Sequence, residues 1–357
     1  MSKISHPNEP MFVLELIKTY TEAQRRLIKI VSKKLIHDSN VMYQKKIISQ
    51  TNDLLKLVLS DSTNWLNVNL PLEYKKGVES VVKAYNEMGL KIENYDKFSK
   101  LHDGQIKILI ENSVDDLTNA TNFVGRTVKD TVRSISIDSI KQASLTGGNI
   151  KTIRTELIQR FITNNVTSMK TKNGRRINLE SYAETVARST TREAQNLAQL
   201  NHMRYQNKDL VQMSSHATTC PICAPLQGRV YSISGKSKDY PALEFAFAGE
   251  HANIHPNCRH VLTPYEPELD ERFEETKRFS NRSFDIDPRS KSQIDNYNRE
   301  QKENRKRNAD KKQWERYKIV MPSETPKTLA GFRKSKKANS ETYRQLESKY
   351  RSLRQKQ

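Results

Sequence analysis

The sequence predicts a mostly α-helical protein in three parts: a long-helix N-terminal body at residues 1–147, a small β-rich α+β module at 148–268, and a basic tail at 269–357 that is helical or partly disordered. Apolar residues recur at steps of three and four over most of the N-terminal half, as in amphipathic helices. Short alternating segments are concentrated at residues 210–233 and follow the strand pattern. Apolar residues make up 35% of the 357 residues, which is low for one compact globule and favours folded cores joined to polar parts.

The first hundred residues are predicted to form helices with interruptions. Apolar side chains recur at mixed steps of three and four from Phe12 to Leu35. The segment Asn67–Pro71 predicts a break, since proline removes a helical hydrogen bond. A further helix is expected at Lys75–Glu87, closed by Gly89.

Residues 105–140 carry the clearest helical pattern of the chain. Their apolar positions step by three or four residues and are Ile106, Ile110, Val114, Leu117, Ala120, Val124, Val128, Val132 and Ile135. Because many of these residues are β-branched, packing against neighbours must stabilise the helix. Gly147 and Gly148 are expected to end this region, and a shorter amphipathic helix is expected at Ile153–Ile162.

The central module is predicted to combine one helix with short strands. Asn173 and Gly174 favour a tight turn of the kind found in hairpins. A helix is expected from Asn178 or Ser181 to about Asn207. Strands are expected at 210–215 and 230–233, with Val261 and Leu262 after a polar loop at 234–254.

All three cysteines of the chain lie in two short clusters within this module. Cys220 and Cys223 form a Cys-x-x-Cys pair, and His255 and Cys258 repeat the same spacing. Two such pairs can complete a tetrahedral zinc shell, so we expect a structural zinc site with these four ligands. The fourth ligand stays open, because His260, two residues past Cys258, and His251, four residues before His255, are alternatives.

The residues near the Cys/His clusters do not complete a known catalytic motif. The run from Glu250 to His255 lacks the glutamate of an HExxH peptidase, because Ala252 stands in its place. A zinc-dependent nuclease or transferase acting on nucleic acid is the alternative function. It draws support from the Cys/His clusters and from Arg188, Thr190 and Arg192 on one predicted helix, whose arginines can hold phosphate or form surface ion pairs. No complete acid/base set accompanies them, so we expect no enzymatic activity.

The formal charge of +20 is concentrated at the C-terminus, where residues 272–357 contain 25 Lys and Arg against 12 Asp and Glu. A solvent-facing helix is expected at residues 293–318, anchored by Trp314 and Tyr317, and a last short helix at 341–353. Such a segment is expected to contact nucleic acid without reading bases; a solvated helix that keeps the protein soluble is the alternative. The candidate residues are Arg305, Lys306, Arg307, Lys311, Lys312, Arg333, Lys334, Lys336 and Lys337.

The chain contains no run of about 18 apolar residues and no apolar signal core after a basic start. We therefore expect neither a membrane span nor a secretory leader, and a cytoplasmic setting in which thiols stay reduced.

Four segments together resemble the phage minor capsid protein 2 family, which is related to the Mu F-like minor head proteins. They are TVARSTTREA at 185–194, DLVQMSSH at 209–216, CPICAPLQGRVYSISG at 220–235 and HPNCRHVLTPY at 255–265. The resemblance is specific from Tyr182 to Glu268 and extends to the helix at Tyr297–Lys318. The residues that map onto the shared motif are Cys220, Cys223, His255, Cys258, Arg259 and His260, with Asp209 and Gly228 beside it.

The resemblance implies a low-copy structural protein of the phage head, inside the head near the portal, acting in head assembly and in genome packaging or delivery. The implied partners are the portal protein, the head shell or scaffold proteins, and phage double-stranded DNA, with host cytoplasm as the site of assembly. Some relatives carry C-terminal toxin or ADP-ribosyltransferase domains. Here the basic residues after Glu268 contain no recognisable catalytic set, which argues against an enzymatic payload.

Overall fold

The computed structural model describes residues 11–32, 40–92, 100–146, 168–170, 174, 176–247 and 252–355. Helices dominate this part of the chain, which confirms the mostly α prediction. The helices are α1 (Met11–Ser32), α2 (Asn40–Glu87), α3 (Lys100–Thr146), α4 (Leu179–Tyr205), α5 (Phe273–Ser280), α6 (Lys291–Val320), α7 (Leu329–Lys337) and α8 (Glu341–Gln355). The strands are β1 (Ser168–Lys170), β2 (Arg176–Asn178), β3 (Leu210–Met213), β4 (Val230–Ser232) and β5 (Leu262–Pro264).

Helix α2 passes through the position where a break was predicted. Pro71 lies inside the helix, so the prediction of an interruption at residues 67–71 was wrong. The side-chain amide of Asn69 donates to the carbonyl oxygen of Trp65 at 2.9 Å, which gives one carbonyl of this turn a second partner. Leu70 and Tyr74 on either side of the proline are fully buried, so packing stabilises the helix beyond what its backbone hydrogen bonds supply.

The end of α2 agrees with the sequence prediction. Gly89 follows Glu87 with a φ of 73°, the left-handed conformation that glycine adopts at little cost. The backbone amide of Gly89 donates to Asn86 and that of Leu90 to Tyr85, so two terminal carbonyls are satisfied.

The chain forms two compact units built from alternating segments. Unit 1 contains residues 1–62, 117–183 and 302–357, and unit 2 contains residues 63–116 and 184–301. One tryptophan lies in each: Trp314 in unit 1 and Trp65 in unit 2. The division of the sequence into three parts at residues 147 and 268 stays a prediction.

Unit 1 contains an aromatic core made by its C-terminal helices. Phe332 on α7 is fully buried and its ring meets Tyr317 of α6 and Tyr343 of α8 edge to face, with centroids 5.8 Å apart in both pairs. Trp314 packs against this core and donates its indole N–H to the carbonyl oxygen of Pro326 at 2.9 Å. The C-terminal part of the chain therefore contains three helices, α6, α7 and α8, whose aromatic side chains share one core.

Two carboxylates on α6 are also buried, although the sequence predicted a solvent-facing helix there. Glu315 accepts a hydrogen bond from the amide of Gln24 on α1 at 2.7 Å. Asp310 is paired with Arg333 at 3.3 Å and Lys336 at 2.7 Å. Both carboxylates find partners far along the chain, which local charge composition does not reveal.

Unit 2 carries the three-stranded sheet, in the order β4, β3, β5, with both pairings antiparallel. Val211 of β3 pairs with Tyr231 of β4 and with Pro264 of β5. The sheet and α4 share a buried core with the end of α2. Its fully or nearly fully buried members are Val81, Tyr85, Met203, Val211, Met213 and Tyr231.

A close helix contact holds α2 against α4 within unit 2. A Cβ atom built on Gly77 would lie 2.7 Å from the Cβ of Ala198 and closer still to the backbone carbonyl oxygen of Gln195. No larger residue fits this position unless the two helices separate.

The predicted hairpin around Gly174 is confirmed, since β1 pairs with β2 in antiparallel register and Gly174 has a φ of 76°. Strands at 210–213 and 230–232 and the helix at 179–205 also match their predictions. The short helices α5 and α7 were not predicted. The Gly147–Gly148 end and the helix at 153–162 lie outside the described residues.

Candidate functional site

The first ligand turn, residues 220–223, follows strand β3 in unit 2. The backbone amide of Ala224 donates to the carbonyl of Cys220 at 3.0 Å, and the amide of Cys223 donates to the Cys220 Sγ at 3.4 Å. Both sulfurs of the Cys-x-x-Cys sequence therefore lie on the same side of one tight turn.

The second ligand loop, residues 252–260, leads into strand β5. The backbone amide of Cys258 donates to the carbonyl of His255 at 3.0 Å, so the loop repeats the tight turn of the first. Asn257 adopts a φ of 63°, a left-handed conformation that asparagine tolerates better than most residues. This residue turns the chain so that His255 and Cys258 face the same point.

The two segments bring three sulfurs and two imidazoles together. The Nε2 atom of His255 lies 3.2 Å from the Cys220 Sγ and 3.0 Å from the Cys223 Sγ. The Cys223 Sγ lies 3.9 Å from the Cys258 Sγ, which in turn lies 3.4 Å from Nδ1 of His260. The donors form two groups of three that share Cys223.

Hydrogen bonds fix which nitrogen of each histidine faces the sulfurs. Nδ1 of His255 lies 2.7 Å from the carbonyl oxygen of Pro256, which only accepts, so Nδ1 carries a proton and Nε2 is the nitrogen that would give its lone pair to a metal. The side-chain oxygen of Gln227 accepts from the backbone amide of His216 at 2.9 Å and lies 3.2 Å from Nε2 of His260. Nε2 of His260 therefore donates, and its Nδ1 is the nitrogen that faces Cys258.

The thiols share protons in a way that favours metal binding. Hydrogen bonds from Cys223 lower the pKa of Cys220 to about 3 and that of Cys258 to about 4. Those same hydrogen bonds, together with burial, raise the pKa of Cys223, so it keeps its proton between two thiolates. The hydrogen bond with Cys220 also raises the pKa of His255 to about 9. A divalent cation would replace the shared protons as the partner of these sulfurs.

Each of the two groups of three donors fits zinc in type and spacing. In a tetrahedral site, Zn–S bonds of about 2.3 Å and Zn–N bonds of about 2.0 Å place the donor atoms about 3.5–3.8 Å apart. The separations of 3.0–3.9 Å between neighbouring donors bracket this range. Both histidines also have the outer hydrogen bond that orients metal-ligating imidazoles. His251, the other alternative ligand, lies outside the described residues.

Three residues beside the clusters support the module. Asp209 accepts hydrogen bonds from the Ser232 hydroxyl at 2.6 Å and the Ser234 amide at 2.7 Å, which fixes the end of β4. Gly228 has a φ of 77°, and a Cβ there would lie 2.8 Å from Ser215 Oγ. Arg259 is exposed between two buried neighbours.

Sequence reasoning missed the buried Arg229. Its guanidinium donates to the carbonyls of Pro225, Ser280 and Ser283 at 2.7, 2.9 and 3.0 Å, and also to that of Arg282. Burial is the largest influence on the pKa of this arginine, and it lowers that pKa. The side chain fastens the turn after Cys223 to the segment that follows α5, and only the position of Arg229 beside Gly228 hinted at such a role.

The helix residues considered for phosphate binding are placed differently from one another. Arg188 forms an ion pair with Glu184 at 2.6 Å, as the surface alternative predicted. Thr190 is buried, and its hydroxyl lies 2.9 Å from that of Ser113, so it is not available to bind a phosphate. Arg192 donates to Gln195 at 2.8 Å and is partly buried.

The nine basic candidates divide into three groups within unit 1. Lys311 is paired with Glu180, and Arg333 and Lys336 are paired with Asp310, so these three have acidic partners inside the protein. Arg307 is partly buried. The remaining five are exposed: Arg305, Lys306, Lys312, Lys334 and Lys337.

Across the described residues, no helix has the length and apolar character needed to cross a membrane.

The profile of a family described as phage minor capsid protein 2 matches residues 11–354. A structural protein of Lactococcus phage LL-H is 28% identical over 105 residues, a segment that spans 28% of this chain and 28% of that relative. No solved structure matches the chain. Both matching descriptions denote structural proteins of phages. Because the family profile covers nearly the whole chain, this protein belongs to the phage minor capsid protein 2 family.

Proposed function

We propose that the protein is a low-copy structural component of the phage head, inside the head near the portal, acting in head assembly and in genome packaging or delivery. The match over residues 11–354 supports this role. The partners are the portal protein and head shell or scaffold proteins, together with phage double-stranded DNA, after assembly in the host cytoplasm. Quantitative mass spectrometry of purified virions tests it: a few copies per particle that crosslink to the portal support the proposal, and a copy number like that of the shell protein contradicts it.

The central module, in this proposal, is fastened by one structural zinc ion. Cys220, Cys223, His255 and Cys258 are the ligands, because His255 contacts both sulfurs of the first ligand turn. His260 is the alternative, since its Nδ1 lies 3.4 Å from the Cys258 Sγ and it forms a group of possible ligands with Cys223 and Cys258. When bound, zinc would link two segments more than thirty residues apart and stabilise a module too small for a large core.

Metal analysis of the purified chain tests this site. We expect about one zinc per chain, lost in Cys258→Ser together with a lower unfolding temperature. His255→Ala and His260→Ala then separate the two alternatives: the variant that loses zinc identifies the fourth ligand. A wild-type chain that contains no zinc, and whose stability is unchanged by a chelator, contradicts the proposal.

DNA contact is assigned to the exposed basic residues of unit 1. The five exposed candidates on α6 and α7 are Arg305, Lys306, Lys312, Lys334 and Lys337. Lys311, Arg333 and Lys336 contribute less, because binding a phosphate would cost them their carboxylate partners. Arg307, also a candidate, is less accessible. Contacts of this kind neutralise phosphates and carry no base specificity.

The test for DNA contact uses point substitutions in the full chain. Deleting the residues after 272 would remove one segment of unit 1, so a truncated chain would lose folding together with charge. The test variant replaces Lys306, Lys312 and Lys334 with Gln. The matched control replaces three lysines on unit 2 helices, each paired with a glutamate one turn away: Lys75, Lys83 and Lys107.

The readout is the affinity for a DNA duplex as a function of salt concentration. Each lost phosphate contact is expected to reduce the slope of log K against log salt by about 0.9, so the test variant loses up to about 2.7. The control is expected to keep the wild-type slope. Equal slopes in all three proteins contradict the assignment, and metal-dependent cutting of plasmid by the wild-type chain would favour the nuclease alternative.

A further inference from the structure

One face of helix α4 holds the second ligand loop. The Thr185 hydroxyl accepts from the Asn257 side-chain amide at 3.1 Å, and the Ser189 hydroxyl accepts from the Asn257 backbone amide at 3.0 Å. The side-chain amide of Asn253 donates to the Ser189 carbonyl at 3.1 Å. Two turns after Ser189, the side-chain amide of Asn196 donates to the carbonyl of Ala252 at 2.7 Å.

These contacts follow the helical repeat. Residues four and seven apart share a face of an α-helix, so Thr185, Ser189, Arg192 and Asn196 form one continuous row. Three members of the row bind the loop that carries His255 and Cys258. The loop therefore lies along this row.

Arg192 occupies the middle of the row and is its only charged member. Its guanidinium donates to Gln195 at 2.8 Å, and the Gln195 amide donates to Glu73 at 2.6 Å. Burial lowers the pKa of Arg192, whereas the negative charges of Cys258 and Glu73 act in the opposite direction. A guanidinium stays protonated in such an environment, so a fixed positive charge lies on the face of α4 that holds the loop of Cys258, between Ser189 and Asn196, which both bond to that loop.

Charge balance gives this placement a role. Zinc bound by three thiolates and one neutral imidazole carries one net negative charge, whichever histidine is the fourth ligand. An uncompensated charge in a largely buried site is unfavourable, and a guanidinium beside it offsets that cost.

We propose that Arg192 is a positioning residue of the metal site: it compensates the negative charge of a three-thiolate zinc centre, while Thr185, Ser189 and Asn196 seat the second ligand loop on α4. This inference rests on the proposed zinc site. It assigns the TVARSTTREA segment to the support of the metal ligands and not to the binding of phosphate.

The experiment compares Arg192→Gln, Arg192→Lys and Arg188→Gln in the full chain. Arg188 is the matched control, because it lies one turn earlier on α4 and pairs with Glu184. Zinc affinity is measured by competition with a chromophoric chelator. Unfolding temperature is measured with zinc and after zinc removal, and circular dichroism checks that each variant is folded.

We expect Arg192→Gln to weaken zinc binding by about 10- to 100-fold, the usual range for groups that support metal ligands. Arg192→Lys keeps the positive charge and should recover most of the affinity, and Arg188→Gln should bind zinc like the wild type. The unfolding temperature of Arg192→Gln should fall in the zinc-bound protein and change little in the zinc-free protein.

Two results would overturn the inference while leaving the zinc site intact. One is wild-type zinc affinity in Arg192→Gln. The other is an equal loss of stability with and without zinc, which marks a purely structural side chain. If Arg192→Gln does not fold, Arg192→Met, which also removes the charge, and Ser189→Ala carry the test, and wild-type zinc affinity in both overturns it. A wild-type chain that binds no zinc overturns both the site and the role of Arg192.

Discussion

Replacing the buried Glu315 with glutamine should make unit 1 less sensitive to pH. Burial, the largest influence, raises the pKa of Glu315 to about 7 from an ordinary value of 4.5. Lys311 acts in the opposite direction, but it is paired with Glu180, whose negative charge raises the pKa of Glu315 further. Gln24 donates to one carboxylate oxygen at 2.7 Å, and Asn178 approaches the other at 3.5 Å.

The sign follows from the raised pKa. The folded protein binds a proton on Glu315 more tightly than the unfolded chain does, so the protonated side chain stabilises the fold at acidic pH. This contribution is lost as the pH rises from the unfolded pKa near 4.5 through the folded pKa near 7. The difference between these two values corresponds to about 3 kcal/mol.

Urea unfolding followed by circular dichroism, from about pH 5 to about pH 8, measures the effect. Glu315→Gln should exceed the wild type by less than about 1 kcal/mol at the acidic end and by about 3 kcal/mol at the basic end, because glutamine stays neutral and still accepts from Gln24. Glu303→Gln, an exposed position on the same helix, is the control and should run parallel to the wild type. A constant difference between Glu315→Gln and the wild type across this range would refute the reasoning.

The structure also predicts whether other substitutions raise or lower the free energy of unfolding. Gly77→Ala should destabilise unit 2 by about 1–3 kcal/mol, because the new methyl meets the Gln195 carbonyl and Ala198. Gly104→Ala is the same change at a helical position where the new methyl would meet no atom within 4 Å, so it should stabilise the protein by about 0.5–1 kcal/mol. The denaturation midpoint of each variant, compared with that of the wild type, checks both predictions. Asp310→Asn should cost about 2 kcal/mol in urea unfolding, since two cations lose their buried partner and both are partly solvated. Thr328→Ala removes the cap that accepts from Gly331 and should cost about 1 kcal/mol, whereas Thr328→Ser should not.

Helices with a regular apolar repeat were predictable from the sequence, and α3 is the clearest case. The repeat of Val124, Val128 and Val132 identifies its buried face directly, and all three are nearly inaccessible to solvent. The uninterrupted path of α2 through Pro71 was not predictable, because the side chains that stabilise this turn lie on both sides of the proline and pack against residues far along the chain. Short helices such as α7 likewise depend on a cap and on one buried side chain, Phe332.

The candidate metal site was predictable in composition and not in geometry. Cysteine and histidine at paired spacing indicated where donors would gather, since such spacing is rare outside metal sites. The choice between His255 and His260 depends on distances to the sulfurs and on the outer hydrogen bonds that the two rings donate to Pro256 and Gln227, which no spacing encodes.

The sequence likewise identified the basic residues of the C-terminal segment but not which of them have acidic partners in the folded protein. Composition identified a cationic segment, but Asp310 lies on the same helix as many of these residues and binds two of them after the chain folds back through α7. Net charge along a sequence therefore overstates the number of cations available to a partner.

The distribution of the two tryptophans gives the protein an internal pair of fluorescent probes. Trp314 belongs to unit 1 and Trp65 to unit 2, so a chain with Trp65→Phe emits from one unit and a chain with Trp314→Phe emits from the other. The Trp314 indole packs on the aromatic core of α6 to α8, so its emission follows the loss of that core. Each unit can thus be followed separately in an intact particle component, without attaching a dye and without cutting a chain whose units are built from interleaved segments.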